Sequence, residues 1–249
     1  MDFWQYIVLF ISVILGGGLA LLVKKNDRVI MQWVLSFAGA YILGISVLHL
    51  MPMVFGVGSP NIGIWVLAGF FLQLFLERLS SGVEHGHIHS HHEPKFGFAL
   101  QIMIGLCVHA FIEGLPLGNY EQVHNIAHGH DHSGTEHLLF GIIFHKAPAA
   151  FALVLLLVAG GFRLRTVMIC LLIFALSSPL GAALTSQLAL RDLLTTEIII
   201  TLMAIVVGSF LHIATTIIFE IDGTSHHSIT WKKLIAILIG TGLALLTIH

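Results

Sequence analysis

The chain has 249 residues and a formal net charge of −2 at pH 7, with 57% of its residues apolar and only 10% charged. Soluble domains carry about 25% charged residues, so this composition excludes an ordinary soluble protein. It also holds no basic patch of the kind that binds nucleic acid. We therefore predict an all-α polytopic membrane protein in which residues 1–249 form a single transmembrane domain within a lipid bilayer.

Eight stretches are apolar for long enough to cross a membrane, which takes about 20 residues as an α-helix. Their approximate bounds are 3–23, 29–52, 60–79, 95–118, 138–160, 165–189, 195–219 and 231–248. Pro116, Pro148 and Pro179 lie inside three of these spans. Each proline removes one helical hydrogen bond and is expected to interrupt its helix.

The basic residues predict how the spans are oriented, because cytoplasmic connections are enriched in lysine and arginine. If the N-terminus lies outside, the cytoplasmic side holds Lys24, Lys25, Arg28, Arg78, Lys95, Arg163, Arg165, Lys232 and Lys233. The outside then holds only Arg191, and Lys146 falls within a span. This bias predicts that both termini lie outside in a multi-pass protein of the plasma (inner) membrane.

Spans 4 and 5 carry polar residues that are costly in hydrocarbon, which makes them functional candidates. His109 and Glu113 are spaced i, i+4 and share one helix face. In the predicted topology His145 of span 5 differs from His109 in depth by only about 3 Å. Two imidazoles and a carboxylate that converge in this way predict a site for a divalent transition metal, above all zinc.

Two histidine-rich tracts connect the spans, at 80–94 on the predicted cytoplasmic side and at 119–137 outside. Such tracts indicate weak metal capture, although solvated polar linkers are the alternative. The histidines expected to capture metal are His85, His87, His89, His91, His92, His128, His130 and His132.

Further polar residues lie within the spans or at their ends. Those that could form part of an ion pathway are His49, Ser178, His212 and Glu220. The alternative for each is a local structural role, such as a hydrogen bond to a backbone carbonyl or a solvated helix end. Glu77 is expected instead to pair with Arg78 or to extend toward water, with metal ligation as its alternative.

Several short motifs resemble those of the ZIP (ZRT/IRT-like) family of divalent metal transporters, in its bacterial type. Span 2 ends with 49–52 (His-Leu-Met-Pro), span 4 holds 109–114 (His-Ala-Phe-Ile-Glu-Gly), and span 5 holds 145–148 (His-Lys-Ala-Pro). Span 6 has 179–181 (Pro-Leu-Gly), and span 7 has 208–211 (Gly-Ser-Phe-Leu). The resemblance implies a homodimer that imports metal, with transport helices that slide against a scaffold.

The resemblance also implies that His109, Glu113 and His145 are ligands of the family's primary metal position. Other positions depart from the family pattern, which has a glutamate after the span 5 proline and further polar ligands where a second metal binds. The residues at those positions here are Ala110, Lys146, Ala149 and Ser178. Two divalent ions close together need bridging carboxylates. We therefore predict that one metal is bound at a time.

Zinc is the expected substrate, with iron(II), cadmium, cobalt, nickel or manganese as further possibilities for a site built from imidazole and carboxylate. Transmembrane transport of the ion, into the cytoplasm, is the predicted function, and no enzymatic activity is expected. Two alternatives stay open. The first is a membrane metal sensor or buffer, or a degenerate relative of the transporters, because Ala149 replaces a carboxylate. The second is a membrane-embedded metal-dependent hydrolase with Glu113 as its base.

Overall fold

A computed structural model describes residues 1–22, 28–57, 60–80, 96–120, 135–220 and 231–246, without the side chains of 28–31, 135–137 and 220. Most of the tracts 80–94 and 119–137 therefore lie outside the described residues. The same holds for the eight loop histidines, for Lys24, Lys25 and Lys95, and for the side chains of Arg28 and Glu220.

Within these ranges the chain is helical, which confirms the all-α prediction. The helices are α1 (Phe3–Leu22), α2 (Arg28–Ile45), α3 (Met51–Val57), α4 (Ile62–Ser80), α5 (Phe96–Leu117), α6 (Thr135–Ala159), α7 (Leu164–Leu190), α8 (Thr196–Glu220) and α9 (Trp231–Leu246). A π-helical turn, Ser46–Leu50, joins α2 to α3.

Seven helical segments of the described ranges are long and apolar enough to cross a membrane. They correspond to the first seven predicted spans, and α9, with 16 described residues, lies in the eighth. The largest difference in bounds concerns span 2, which continues to Val57 instead of ending at 52. Pro52 does not stop it, because the π turn before it lets the Met51 N–H reach the Ser46 carbonyl.

The three prolines differ in how they affect their helices. The helices α6 and α7 continue for more than ten residues past Pro148 and Pro179, whereas α5 ends at Leu117, one residue after Pro116. A proline costs a helix one hydrogen bond and crowds the preceding turn, but packing against neighbouring helices can hold such a helix together in a membrane. The prediction of an interrupted helix was therefore wrong at Pro148 and Pro179, while Pro116 lies at the end of its helix.

The helices form two blocks. In the first block α1 packs mainly on α6, and α5 packs mainly on α7. In the second block α4 packs mainly on α8, and α2 packs on α9 and α8. One apolar core cluster, which includes Val13, Leu106, Leu153 and Phe174, is drawn entirely from the first block.

The two blocks meet where α2 contacts α6 and where α5 contacts α4 and α8. At the α2–α6 contact, the Phe144 ring lies edge-on to the rings of Phe37 and Tyr41, with centroid distances of 5.4 and 5.3 Å. Edge-on aromatic pairs hold surfaces together through contact area and ring electrostatics. Two rings of this aromatic cluster are part of a larger apolar core that joins the two blocks and includes Leu9 and Leu138 of the first and Phe210 of the second.

Candidate metal centre

His109, Glu113 and His145 converge inside the first block. One potential ligand atom from each side chain lies within 4.8 Å of the others, and all three residues are buried. His109 Nε2 is 3.0 Å from Glu113 Oε1, and the two imidazole rings lie edge to face with centroids 5.6 Å apart. Helix periodicity places the first two residues on one face of α5, and the packing of α6 beside it supplies the third.

The Glu113 carboxylate has an unusual environment for a buried acid. Its side chain is 0% exposed, and neither oxygen accepts a hydrogen bond from any residue that the structure describes. The contact with His109 is close but lacks hydrogen-bond geometry. An ionised carboxylate away from water needs a cation or donors to offset its desolvation. The arrangement thus suits a positive ion held between the carboxylate and the imidazoles.

Close contact between α5 and α7 builds the wall beside this triad. A Cβ added at Gly114 would overlap the backbone carbonyl of Ser178, and one added at Gly181 would overlap that of Phe111. Glycine at both positions lets the two backbones approach closely, as is common between membrane helices. The approach brings the Ser178 side chain against α5 at the level of the triad.

Lys146 lies directly beside the triad and is only 1% exposed. Its Nζ donates a 2.6 Å hydrogen bond to Ser178 Oγ and lies 5.0 Å from the centre of the Phe174 ring. Ser178 Oγ in turn donates to the backbone carbonyl of Ala110 on α5. The Lys146 ammonium also interacts electrostatically with Glu113. A chain of polar contacts therefore links α5, α6 and α7 next to the candidate site.

Ser178 makes the hydrogen bond to a backbone carbonyl that was its default expectation, but the carbonyl belongs to a different helix. Its hydroxyl donates a hydrogen bond to another helix rather than to its own, and it accepts a hydrogen bond from Lys146 Nζ. Ala149 is buried at 1% exposure and presents only a methyl group. The positions flanking the triad in the first block thus offer an ammonium, a hydroxyl and a methyl group. None of these is a carboxylate that could bridge a second divalent ion.

Two of the remaining pathway candidates, His49 and His212, have described side chains, and neither belongs to the ligand cluster of the triad. His49 is half-buried within the π turn, a distortion often found at functional positions. His212 on α8 contacts Glu77 on α4, with Nε2 against Oε2. The sequence reasoning did not foresee this pair, since it assigned Glu77 to Arg78 or to water. The available signal was the i, i+4 spacing of Gln73 and Glu77, which gives α4 one polar face.

Comparison with known proteins places these features in a family. The ZIP Zinc transporter family matches residues 84–247, a range that holds all three triad residues. Zinc transporter ZIP9 of Micropogonias undulatus is 31% identical in an alignment of 178 positions that covers 66% of this chain and 53% of that protein. Zinc transporter ZIP9-A of Xenopus laevis is 30% identical, over 66% of this chain and 54% of that protein.

The chain spans about half the length of these relatives. The family match covers well over half of the chain and extends from before α5 to the end of α9, so it includes the helices that bring His109, Glu113 and His145 together. This protein is a multi-pass membrane protein that belongs to the ZIP zinc transporter family.

Proposed function

We propose that this protein transports zinc across a membrane and imports it into the cytoplasm, with one ion at a time bound by His109, Glu113 and His145. The observation that carries the proposal is the buried Glu113 carboxylate, which lies 3.0 Å from His109 Nε2, accepts no well-formed hydrogen bond in the described part of the chain and faces two imidazoles. A cation bound between these groups would offset the desolvation of the carboxylate.

The donor set fits a metal that must be released again. Zinc bonds to histidine nitrogen and carboxylate oxygen at about 2.0–2.2 Å, so tetrahedral ligand atoms lie about 3.3 Å apart. The three side chains, now within 4.8 Å of one another, need only modest rotation to reach that spacing. Three protein ligands leave a position for water, through which ligands can exchange. We propose that iron(II), cadmium, cobalt, nickel and manganese compete with zinc to different degrees.

The two helical blocks support a mechanism in which one moves against the other. The three proposed ligands, Lys146 and Ser178 all belong to the first block, so the site can move as a unit. We propose that the first block shifts relative to the second and exposes the site to each side in turn. The aromatic cluster of Phe37, Tyr41 and Phe144 lies at the contact where such a shift would occur.

Lys146 supports the proposal of a single bound ion. Its buried ammonium lies beside the triad, and like charges repel strongly in a medium of low dielectric constant. Ala149 offers no bridging carboxylate there. We propose that the ammonium occupies the cationic position next to the metal and so keeps the site mononuclear.

The setting of the protein is part of the proposal. The distribution of lysine and arginine supports outside termini in the plasma membrane, and the resemblance to the family supports a homodimer. The whole chain is proposed to be one transporter domain, with loop histidines that gather metal at its surfaces. Its family consists of transporters, which argues against the hydrolase alternative.

The test is radiolabelled zinc uptake into proteoliposomes that contain the full chain. His109→Ala and Glu113→Gln should each reduce uptake by at least about tenfold. Mutating a residue that only orients a metal ligand typically lowers metal affinity or activity by about tenfold or more, and loss of the ligand itself should cost at least as much. Ser177→Ala is the matched control, because the Ser177 hydroxyl bonds to Ile173 within its own helix. Competition by each of the other metals then ranks selectivity.

Uptake by the wild type that survives both ligand substitutions would contradict the proposed site. Zinc binding by a folded, inserted protein that takes up no zinc would contradict transport and favour the sensor or buffer alternative. A membrane-impermeant chelator on either side, with the protein's orientation determined by protease accessibility, distinguishes import from export.

A further inference from the structure

A second cluster of polar side chains lies in the second block, between α4 and α8. Gln73 and Glu77 are one turn apart on α4, and Ser209 and His212 are one turn apart on α8. Gln73, Ser209 and His212 are buried. We call these four residues the α4–α8 cluster. Polar residues within membrane spans are costly and typically mark ion pathways.

The centre of the α4–α8 cluster is the contact between His212 Nε2 and Glu77 Oε2. The two side chains are only 8% and 17% exposed. The edge of the imidazole is held by Phe70, whose ring is perpendicular to it at a centroid distance of 4.9 Å. The carboxylate and the imidazole nitrogen are therefore fixed side by side, with little water around them.

The helices that carry the cluster are held in close register. Ser209 Oγ donates a 3.0 Å hydrogen bond to Gln73 Oε1, one turn from the histidine–glutamate pair. A Cβ at Gly69 would overlap the Ile205 backbone carbonyl, and one at Gly208 would overlap that of Val66. This close backbone contact keeps the pair in place whether or not an ion is bound, which is a property of preorganised sites.

The cluster adjoins the helix that carries the proposed transport ligands. Gly105, His109 and Glu113 recur every four residues, so they lie along one face of α5. A Cβ at Gly105 would lie 3.0 Å from the Leu76 carbonyl on α4, the residue just before Glu77. Gly105 is one turn, about 6 Å, from His109 along the axis. The face of α5 that carries the ligands therefore contacts α4 at the turn that includes Glu77.

We propose that Glu77 and His212 form a second binding site for a divalent cation, through which zinc passes between the His109–Glu113–His145 site and one membrane surface. One imidazole and one carboxylate are zinc ligands, but two protein ligands leave at least two positions to water. Binding at this site is therefore weaker than at the three-ligand site, which suits the transfer of an ion. This inference rests on the proposed transport function.

The competing explanation is an ion pair that only holds α4 and α8 together. A structural pair would survive replacement by two side chains that keep an interhelical hydrogen bond. A cation site would not, because amides are poor zinc ligands. The two explanations therefore predict different outcomes for the double variant Glu77→Gln/His212→Gln.

The first measurement detects zinc at this location without any transport. A His212→Cys variant of the full chain, with Cys107→Ala and Cys170→Ala, is purified in detergent and alkylated with a maleimide. Zinc held by the new thiolate and Glu77 should slow alkylation at least about tenfold, because a coordinated thiolate is a poor nucleophile. Adding Glu77→Gln is the matched control and should abolish the protection, whereas loop histidines affect both proteins equally.

The second measurement is zinc uptake into proteoliposomes. Glu77→Gln, His212→Gln and their double variant should each reduce the maximal uptake rate at least about fivefold. Without the second site, zinc should dissociate slowly from the transport site. Thr215→Ala, which removes a hydroxyl bonded to the Leu211 and His212 backbone carbonyls within α8, should retain the wild-type rate. Size-exclusion profiles and melting temperatures identify variants that fail to fold. If His212→Cys misfolds, Glu77→Cys with His212 intact takes its place in the alkylation experiment.

Equal alkylation rates with and without zinc, or protection that persists after Glu77→Gln, would overturn the second site. Uptake by the double variant at the wild-type rate would also overturn it and leave a structural ion pair. A wild-type protein that takes up no zinc would overturn the transport function instead, while the alkylation result would still decide whether Glu77 and His212 bind the ion.

Discussion

Lys146 Nζ donates a 2.6 Å hydrogen bond to Ser178 Oγ across the contact between α6 and α7, and both side chains are buried. Ser178 Oγ in turn donates a hydrogen bond to the backbone carbonyl of Ala110 on α5. A charged group in this position is held by one hydroxyl, by the face of Phe174 and by the electrostatic attraction of Glu113. The same ammonium therefore affects both the stability of the first block and the binding of a cation beside it.

Lys146→Met should increase the affinity of the transport site for zinc. Methionine keeps an unbranched side chain of similar length, and its loss of charge removes repulsion between the ammonium and the divalent ion. The half-saturating zinc concentration for uptake should fall at least about tenfold, equivalent to about 1.4 kcal/mol. Saturation curves in proteoliposomes measure it, with Ser177→Ala as the control. An unchanged or higher half-saturating concentration would show that Lys146 does not oppose the bound ion.

Ser178→Ala should destabilise the protein, because it leaves the buried Lys146 ammonium without its hydroxyl partner. The cost is about 1–3 kcal/mol for an unsatisfied buried group. It should appear as a lower melting temperature in detergent. In the double variant Lys146→Met/Ser178→Ala the unsatisfied charge is gone. The change in its free energy of unfolding should therefore differ from the sum of the two single-variant changes by about 0.5–3 kcal/mol. Simple additivity would mean that the hydrogen bond contributes little.

Gly114→Ala should disturb the contact between α5 and α7, since its Cβ would overlap the backbone carbonyl of Ser178. Backbone atoms cannot rotate away as side chains do, so overpacking should cost about 1–3 kcal/mol and displace Glu113. Gly97→Ala in the same helix is the matched control, because nothing lies within 4 Å of its added Cβ. We expect lower melting temperature and reduced uptake only for Gly114→Ala. Equal behaviour of the two variants would argue against the close helix contact.

Phe144→Leu should change the rate of transport more than the binding of zinc. Phe144 contacts Phe37 and Tyr41 of the second block edge-on, and such pairs contribute about 0.5–1.5 kcal/mol each beyond their buried area. Its loss alters the contact across which the blocks are proposed to shift, whereas His145 on the same helix keeps its position. Uptake kinetics should show an altered maximal rate with a half-saturating concentration within about twofold of wild type. A change confined to the half-saturating concentration would place Phe144 in the binding site instead.

Much of the fold could be predicted from hydropathy. Burial in a bilayer requires long apolar helices whose backbone groups bond internally, so the spans appear directly in the sequence. The i, i+4 spacing of His109 and Glu113 likewise fixes a shared face without any tertiary information. The prediction failed at Pro148 and Pro179, because the loss of one hydrogen bond within a helix is local, while the packing that keeps α6 and α7 continuous is not.

The sequence by itself determined that the protein is a bundle of membrane helices and that a histidine–carboxylate pair lies within one of them. Tertiary structure alone decided which helices face one another: Ser178 with Lys146 and Ala110, and Glu77 with His212, which is 135 positions away. Apart from the Gln73 and Glu77 face of α4, these helices carry few polar side chains, so no continuous polar stripe marks their buried faces. Their rotation and pairing depend on where glycines let two backbones touch, and that is a property of two surfaces together rather than of either sequence segment.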